Sequence, residues 1–266
     1  MSEKRPPRLS AWRFVVTFGT VSLLADFVYE GARSVTGPVL ALLGATGLVV
    51  GIVTGVGEAA SLLLRLVSGP LADRTQRFWA WTIAGYAITV ISVPLLGYAS
   101  ILWVACGLVI LERVGKAIRG PSKDALLSYA TAATGRGRGF AVHEAIDQFG
   151  AVIGPLVVAA VLAVTNTDYG PALAVLALPG VLALGLVVWL RARVPHPIDY
   201  EVDPKPHVSL TLPTERVRLP RAFWLYAAFT ATTVLGFATF GIISFHIVEA
   251  GLLEPVWVPV LYAGVM

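Results

Sequence analysis

The stretch Leu108–Leu127, LVILERVGKAIRGPSKDALL, decides how the chain is read. It starts inside the apolar run Ile101–Leu111 and then sets Glu112, Arg113, Lys116 and Arg119 on one helix. Helical spacing puts Glu112, Lys116, Arg119 and Lys123 on a single stripe. Gly120-Pro121 is expected to end or bend that helix. A helix entering a bilayer near Leu102 carries Arg113 ~16 Å into a hydrocarbon core of ~30 Å. A charge at that depth costs roughly 2.5–3.5 kcal/mol on an insertion scale. Such residues persist mainly where they face a polar cavity or a partner charge, which points to transport.

The totals agree with a membrane setting. Apolar residues make up 56% and charged residues 14% of the chain, with mean hydropathy +0.77. A soluble domain has about 25% charged residues. The net charge of +4 is topological rather than a nucleic-acid footprint, so no nucleic-acid partner is expected. Arg136-Gly-Arg138-Gly is better explained by a loop meeting anionic lipid. The lone Cys106 lies in an apolar run and reads as a small core residue. The stretch Phe14–Val28 has no cleavage site after it and reads as a retained first helix.

Apolar segments predict helix one from about Trp12 to Arg33, with Gly37-Pro38 in the following loop. Helix two spans about Thr46–Pro70, helix three Phe78–Gly97, helix four Ile101–Gly120, helix five Gly139–Val164 and helix six Pro171–Leu190. Helix seven follows from Phe223 to about Ile247, and an eighth begins near Val256. Each complete segment approaches the ~20 residues that cross a bilayer. The fold class is therefore an all-α integral membrane bundle. Residues 1–194 form six helices, 195–220 a Pro-rich cytoplasmic linker without a core, and 221–266 the start of a second, incomplete bundle. Glu30…Arg33…Gly37-Pro38 and Glu112-Arg113…Gly120-Pro121 form a faint repeat. Two three-helix units of opposite direction would produce it.

Basic residues cluster in the N-terminal tail (Lys4, Arg5, Arg8, Arg13), after helix two (Arg74, Arg77), after helix four and after helix six. The alternate loops hold Arg33 alone. This bias places the N-terminus in the cytoplasm. The predicted location is a bacterial cytoplasmic membrane, crossed several times. Trp12, Trp79 and Trp189 fall near membrane ends, where aromatic belts form.

Gly69–Arg77, GPLADRTQR, resembles the loop signature of the major facilitator superfamily, G-x-L-A-D-R-x-G-R. Gln76 stands where that signature has glycine. Asp73 is suited to cap an incoming helix N-terminus, and the resemblance implies that Gly69, Asp73, Arg74 and Arg77 form a conformational gate. Read alone, Arg74 and Arg77 are orientation charges. Arg113 matches the family's membrane-embedded Arg, although the usual R-x-x-Q-G is replaced by Arg113-Val-Gly115-Lys116. Gly150-Ala-Val-Ile-Gly154-Pro155 resembles the glycine-proline motif of the antiporter branch, with GxxxG spacing suited to close packing. The segment from Arg113 to Pro155 is also similar to bacterial efflux-type members.

The resemblance implies proton-coupled export of a small molecule, with protons and a lipid bilayer as partners, no cofactor and no enzymatic activity. Asp26, Glu30, Arg113, Lys116, Glu144 and Asp147 are the expected coupling residues, with Arg113 tuning protonation of Asp26 or Glu30. A structural salt-bridge set is the competing reading, favoured for Glu58 and Arg65. His143-Glu144-Ala-Ile-Asp147 lacks the second histidine of a zinc motif, so no metal site is expected. The family architecture needs further helices, so the chain is expected to be truncated in the second half. A second chain that completes the transporter, or a non-transporting interaction role, are the alternatives. Cationic, anionic and zwitterionic solutes all stay open.

Overall fold

The computed structural model describes residues 9–200, 220–235 and 238–266. Lys4, Arg5 and Arg8 of the tail, and Pro204, Lys205, Pro206, Pro213, Arg216 and Arg218 of the connector, lie outside the described residues. Among the described residues the chain is helical without strands. The helices are α1 (Ala11–Leu42), α2 (Gly47–Thr75), α3 (Phe78–Gly97), α4 (Leu102–Thr134), α5 (Arg136–Val164), α6 (Tyr169–Ala174) and α7 (Ala177–Arg193). A 3-10 turn covers Pro197–Tyr200, followed by α8 (Arg221–Leu235), α9 (Phe240–Glu249) and α10 (Trp257–Val265). Five segments are long and apolar enough to cross a membrane: α1, α2, α3, α5 and the span Tyr169–Arg193. At 33 residues α4 has the length; its buried charges lower its hydropathy.

Two sequence expectations about Gly-Pro pairs are corrected. Pro38 lies inside α1, and α4 continues through Gly120-Pro121 for more than three further turns, to Thr134. Proline also sits inside α2, α3 and α5. In hydrocarbon, a broken helix end has no water to satisfy its freed backbone groups, so forfeiting one rung costs less than stopping. Arg33 accordingly belongs to α1 and not to a loop. The sixth span divides at Val175–Leu176, and Ala238–Thr239 interrupts the expected seventh helix.

Within the first seven helices α1 packs mainly on α5 and α7, and it also packs extensively on α9; α4 packs mainly on α2 and α3. Exchanging α1 with α4, α2 with α5 and α3 with the α6–α7 span maps one set of pairs onto the other. This is the contact pattern that two interlocked three-helix repeats produce.

The interior is stratified along the helix axes. One apolar cluster holds Phe14, Phe18, Ala25, Trp79, Tyr86, Leu126, Leu190 and Tyr200. The other holds Val28, Val35, Leu40, Val53, Val93, Val109, Leu162, Leu173 and Phe245. Between them lies a layer of charge on α1, α2 and α4. Leu62, Leu63, Leu66, Trp103, Leu178 and Val181 are exposed, as a lipid-facing surface requires. Trp12 and Trp189 are exposed, but Trp79 is buried against the Phe14 and Phe18 rings and does not join a belt.

The connector begins docked rather than extended. Pro197 and Tyr200 are buried, and the Tyr200 hydroxyl donates to the Leu9 carbonyl at 2.9 Å. Burial pushes the Tyr200 phenol up to about 12, so it remains a donor at ordinary pH.

Candidate functional site

The charged layer is built from helices that present acids and bases at helical spacing. α1 supplies Asp26, Glu30 and Arg33, α2 supplies Glu58, and α4 supplies Glu112, Arg113, Lys116 and Arg119. Arg119 Nη2 lies 3.4 Å from Asp26 Oδ1, and Lys116 Nζ lies 3.7 Å from Glu30 Oε1. Glu58 Oε1 bridges Arg33 Nη2 at 3.1 Å and Arg113 Nη1 at 3.5 Å. Arg113 Nε is 3.6 Å from Glu112 Oε2. The layer thus contains four carboxylates and four cations. Balance is what allows it in a low-dielectric interior, where an unpaired charge is far more costly than a pair.

Aromatic rings complete the layer. The Tyr29 face lies 3.5 Å from Lys116 Nζ and 4.9 Å from Arg113 Cζ. Arg119 Cζ lies 4.8 Å from the centre of Tyr86. Ring quadrupoles contribute negative potential here without adding net charge. Glycines admit the long side chains. A Cβ on Gly57 would come within 3.0 Å of Arg113 Cγ, and one on Gly85 within 2.6 Å of Arg119 Cβ.

The expected pairing of Arg113 with Asp26 or Glu30 is replaced. Arg113 pairs with Glu58 and Glu112; Lys116 takes Glu30 and Arg119 takes Asp26. The i, i+3, i+6 progression along α4 places its cations at successive depths, and α1, crossing in the opposite direction, meets the deeper-numbered ones with its earlier residues. Glu58, for which the sequence favours a structural salt bridge, bridges two arginines, whereas Arg65, given the same reading, is exposed on α2 and lines the adjoining cavity.

A cavity of about 630 Å³ opens beside this layer, lined by Asp26, Glu30, Lys116 and Arg119 and by Lys123, Glu144 and Asp147. Of the expected coupling residues, Asp26, Glu30, Lys116, Glu144 and Asp147 are brought together there, and Arg113 lies outside its lining. His143 is buried, with Nε2 3.0 Å from Ser22 Oγ and its ring against Phe18. Among the described residues no group of three or more His, Cys, Asp and Glu side chains is placed to hold a metal ion.

Helices from the later part of the chain pack beside the charged layer, α9 on α1 and α2 and α10 on α5 and α1, and Met266 lines the cavity. The Tyr262 hydroxyl of α10 donates to Glu30 Oε2 and its ring stacks on Phe240. Thr239 Oγ1 lies 2.8 Å from Thr54 Oγ1, and a Cβ on Gly37 would overlap the Gly241 carbonyl. No periodicity in the sequence singles out Tyr262, which sits in a short apolar run.

The glycine-proline segment lies on α5 against α1. A Cβ on Gly150 would overlap the Leu23 carbonyl, and one on Gly154 the Phe27 carbonyl. In the gate-like segment, Asp73, Arg74 and Arg77 are exposed at the α2–α3 turn. Asp73 belongs to the last turn of α2 and does not cap α3, whose N-cap is Arg77 without a side-chain bond.

A family model described as Major Facilitator Superfamily matches residues 22–266. The chain belongs to this superfamily, whose members are transporters rather than enzymes. It is accordingly a multi-pass membrane protein. It is 66% identical over 260 residues to uncharacterized proteins of Mycobacterium tuberculosis and Mycobacterium bovis, covering 98% of this chain and 63% of theirs. An uncharacterized MFS-type transporter of Methanocaldococcus jannaschii is 29% identical over 140 residues, covering 53% of this chain and 35% of that protein. The chain therefore spans just under two thirds of the length of its mycobacterial relatives.

Proposed function

We propose that the chain forms the first bundle, residues 1–194, and the opening helices of the second bundle of a proton-coupled secondary transporter that exports a small molecule. The connector 195–220 joins the two. The observation that carries this reading is the charge layer beside a cavity, with Tyr262 of α10 bonded to Glu30, one of the residues that line it. α1 and α4 meet there through ion pairs of 3.4–3.7 Å, long enough to be exchanged. Among the described residues, Arg13, Arg74, Arg77, Arg136, Arg138, Arg191 and Arg193 lie toward one end of the bundle. The turns 43–46, 98–101 and 165–168 at the other end carry no Lys or Arg. This asymmetry supports a cytoplasmic N-terminus, with the cavity open inward.

Coupling follows from Glu30, which holds Lys116 on α4 and Tyr262 on α10 at once. A proton on Glu30 removes the attraction for Lys116 and turns the carboxyl into a competing donor toward Tyr262. Both contacts across α1 then weaken together, so proton binding and loosening of these contacts are one event. Arg119 and Asp26 form the second exchangeable pair.

The test uses proteoliposomes holding a pH-sensitive dye, an imposed proton gradient and a library of small polar solutes. Wild type is expected to dissipate the gradient when at least one solute is added, and Glu30→Gln to lose that response. The proposal falls if no solute dissipates the gradient or if Glu30→Gln responds as wild type does.

A further inference from the structure

Within the transporter reading, the arrangement of charge around the cavity narrows the solute. α4 lines it with Lys116, Arg119 and Lys123, at i, i+3 and i+7. α5 lines it with Glu144, Asp147 and Gln148, at i, i+3 and i+4. A mainly basic wall therefore shares the cavity with an acidic one, and the exposed Asp124 of α4 and Arg65 of α2 also line it. α1 contributes Asp26 and Glu30, which neutralise Arg119 and Lys116.

Of the lining charges left after that pairing, Arg65, Asp124 and Glu144 are exposed, and Lys123 and Asp147 are the more deeply placed charge of each sign. Among the described residues no carboxylate comes within ion-pair distance of Lys123. Opposite it, Asp147 is 8% exposed, and its buried Oδ1 has no hydrogen-bond partner. An orphaned buried carboxylate oxygen is costly to leave without a donor. Glu144 accepts from Gln148 within the same wall. The lining contains no aromatic ring, and its apolar side chains are limited to Pro121, Ala151 and Met266. A lipophilic cation would find almost nothing to bury against.

We propose that this cavity takes a small, hydrophilic zwitterion, its cationic group on Asp147 and Glu144 and its anionic group on Lys123. The proposal rests on the transporter reading for its purpose, but its test reads only the cavity's charge. A single cysteine at Gln148→Cys, in a Cys106→Ala background in nanodiscs, is labelled with three methanethiosulfonates. They carry a trimethylammonium, a sulfonate and a neutral methyl group, and each rate is divided by that for a free thiol.

Both charged reagents are expected to react faster than the neutral one. Asp147→Asn should slow the ammonium reagent about threefold or more and spare the sulfonate; Lys123→Gln should do the reverse. Lys123→Arg should restore the sulfonate rate, which separates a charge effect from a disturbed fold. Glu144→Gln provides a second acid-wall variant and should also slow the ammonium reagent alone. The proposal is overturned if wild type excludes one sign of charge, or if each variant changes both charged reagents equally. No flux is measured, so a failed labelling pattern leaves the transporter reading standing, and a failed proton assay leaves the labelling result standing.

Discussion

Helix α1 has two seams of opposite character. Toward α5 it is joined by backbone: Gly150 and Gly154 lie so close to the Leu23 and Phe27 carbonyls that no Cβ fits. Toward α4 it is joined by charge: Asp26 to Arg119 and Glu30 to Lys116, at 3.4 and 3.7 Å. The first seam has one workable geometry, because close-packed surfaces resist sliding. The second can exchange partners at Glu30, which touches both Lys116 and Tyr262. The difference teaches which pair of helices should move as a unit and which should not.

The charge seam is the more fragile to a single substitution. Arg119 is almost fully buried, held by Asp26, Thr89 and the Tyr86 ring. Arg119→Ala strands Asp26 and is expected to cost about 3–5 kcal/mol, seen as a large fall in thermal stability in detergent. Adding Asp26→Asn should recover a substantial part, because the stranded charge is then gone. If the double variant is as unstable as Arg119→Ala, packing rather than charge holds this seam.

The glycine seam should be next. Gly154→Leu forces a side chain into the Phe27 backbone, and overpacking of this kind costs about 1–3 kcal/mol. Gly185 on α7 has open space where a Cβ would stand, so Gly185→Leu should be close to neutral in the same assay. Equal effects at the two positions would remove the distinction drawn between the seams.

Tyr262→Phe probes the exchangeable side at Glu30. It removes one donor to Glu30 but leaves Lys116 in place. Loss of a hydrogen bond to a charged group costs about 1.5 kcal/mol at the low end of its range. A Thr54→Cys, Thr239→Cys pair reports closure by disulfide yield, since the two hydroxyls lie 2.8 Å apart. The yield should fall when Tyr262→Phe is added, and Glu30→Gln should add little further.

The helices were legible because burial in hydrocarbon demands long apolar runs, and the runs are plain in the sequence. The buried charges were legible for the same reason: Asp26, Glu30, Arg113 and Lys116 interrupt those runs. Their partners were not. Periodicity says which residues share a face of one helix, and is silent on which face of another helix meets it. Spacing alone therefore pairs Arg113 with the acids of α1, whereas Glu58 of α2 and Glu112 of its own helix hold it. Glu58, like Asp26 an acid within an apolar run, makes the kind of ion pair read for it from the sequence, but periodicity could not name its partners, Arg33 and Arg113. Gly37-Pro38 and Gly120-Pro121 both lie inside helices, because packing against neighbouring helices holds the chain helical across a single lost rung.

One departure from the family signature was visible in the sequence and acquires its physical meaning from the backbone. Gln76 occupies the signature's second glycine position, and its φ of 52° and ψ of 20° lie in the left-handed region. A side chain there costs about 1–2 kcal/mol that glycine avoids. Gln76 offsets part of this through its amide, which donates to the Asp73 carbonyl at 2.5 Å. Gln76→Gly trades that exposed bond for relief of strain, and also gains chain entropy in the unfolded state. The net expectation is a gain of about 0.5 kcal/mol, a rise of a degree or two in the melting temperature. Because the turn is remote from both seams, neither the labelling pattern nor the disulfide yield should change. A fall in stability would mean that the bond from Gln76 to Asp73 outweighs the left-handed strain.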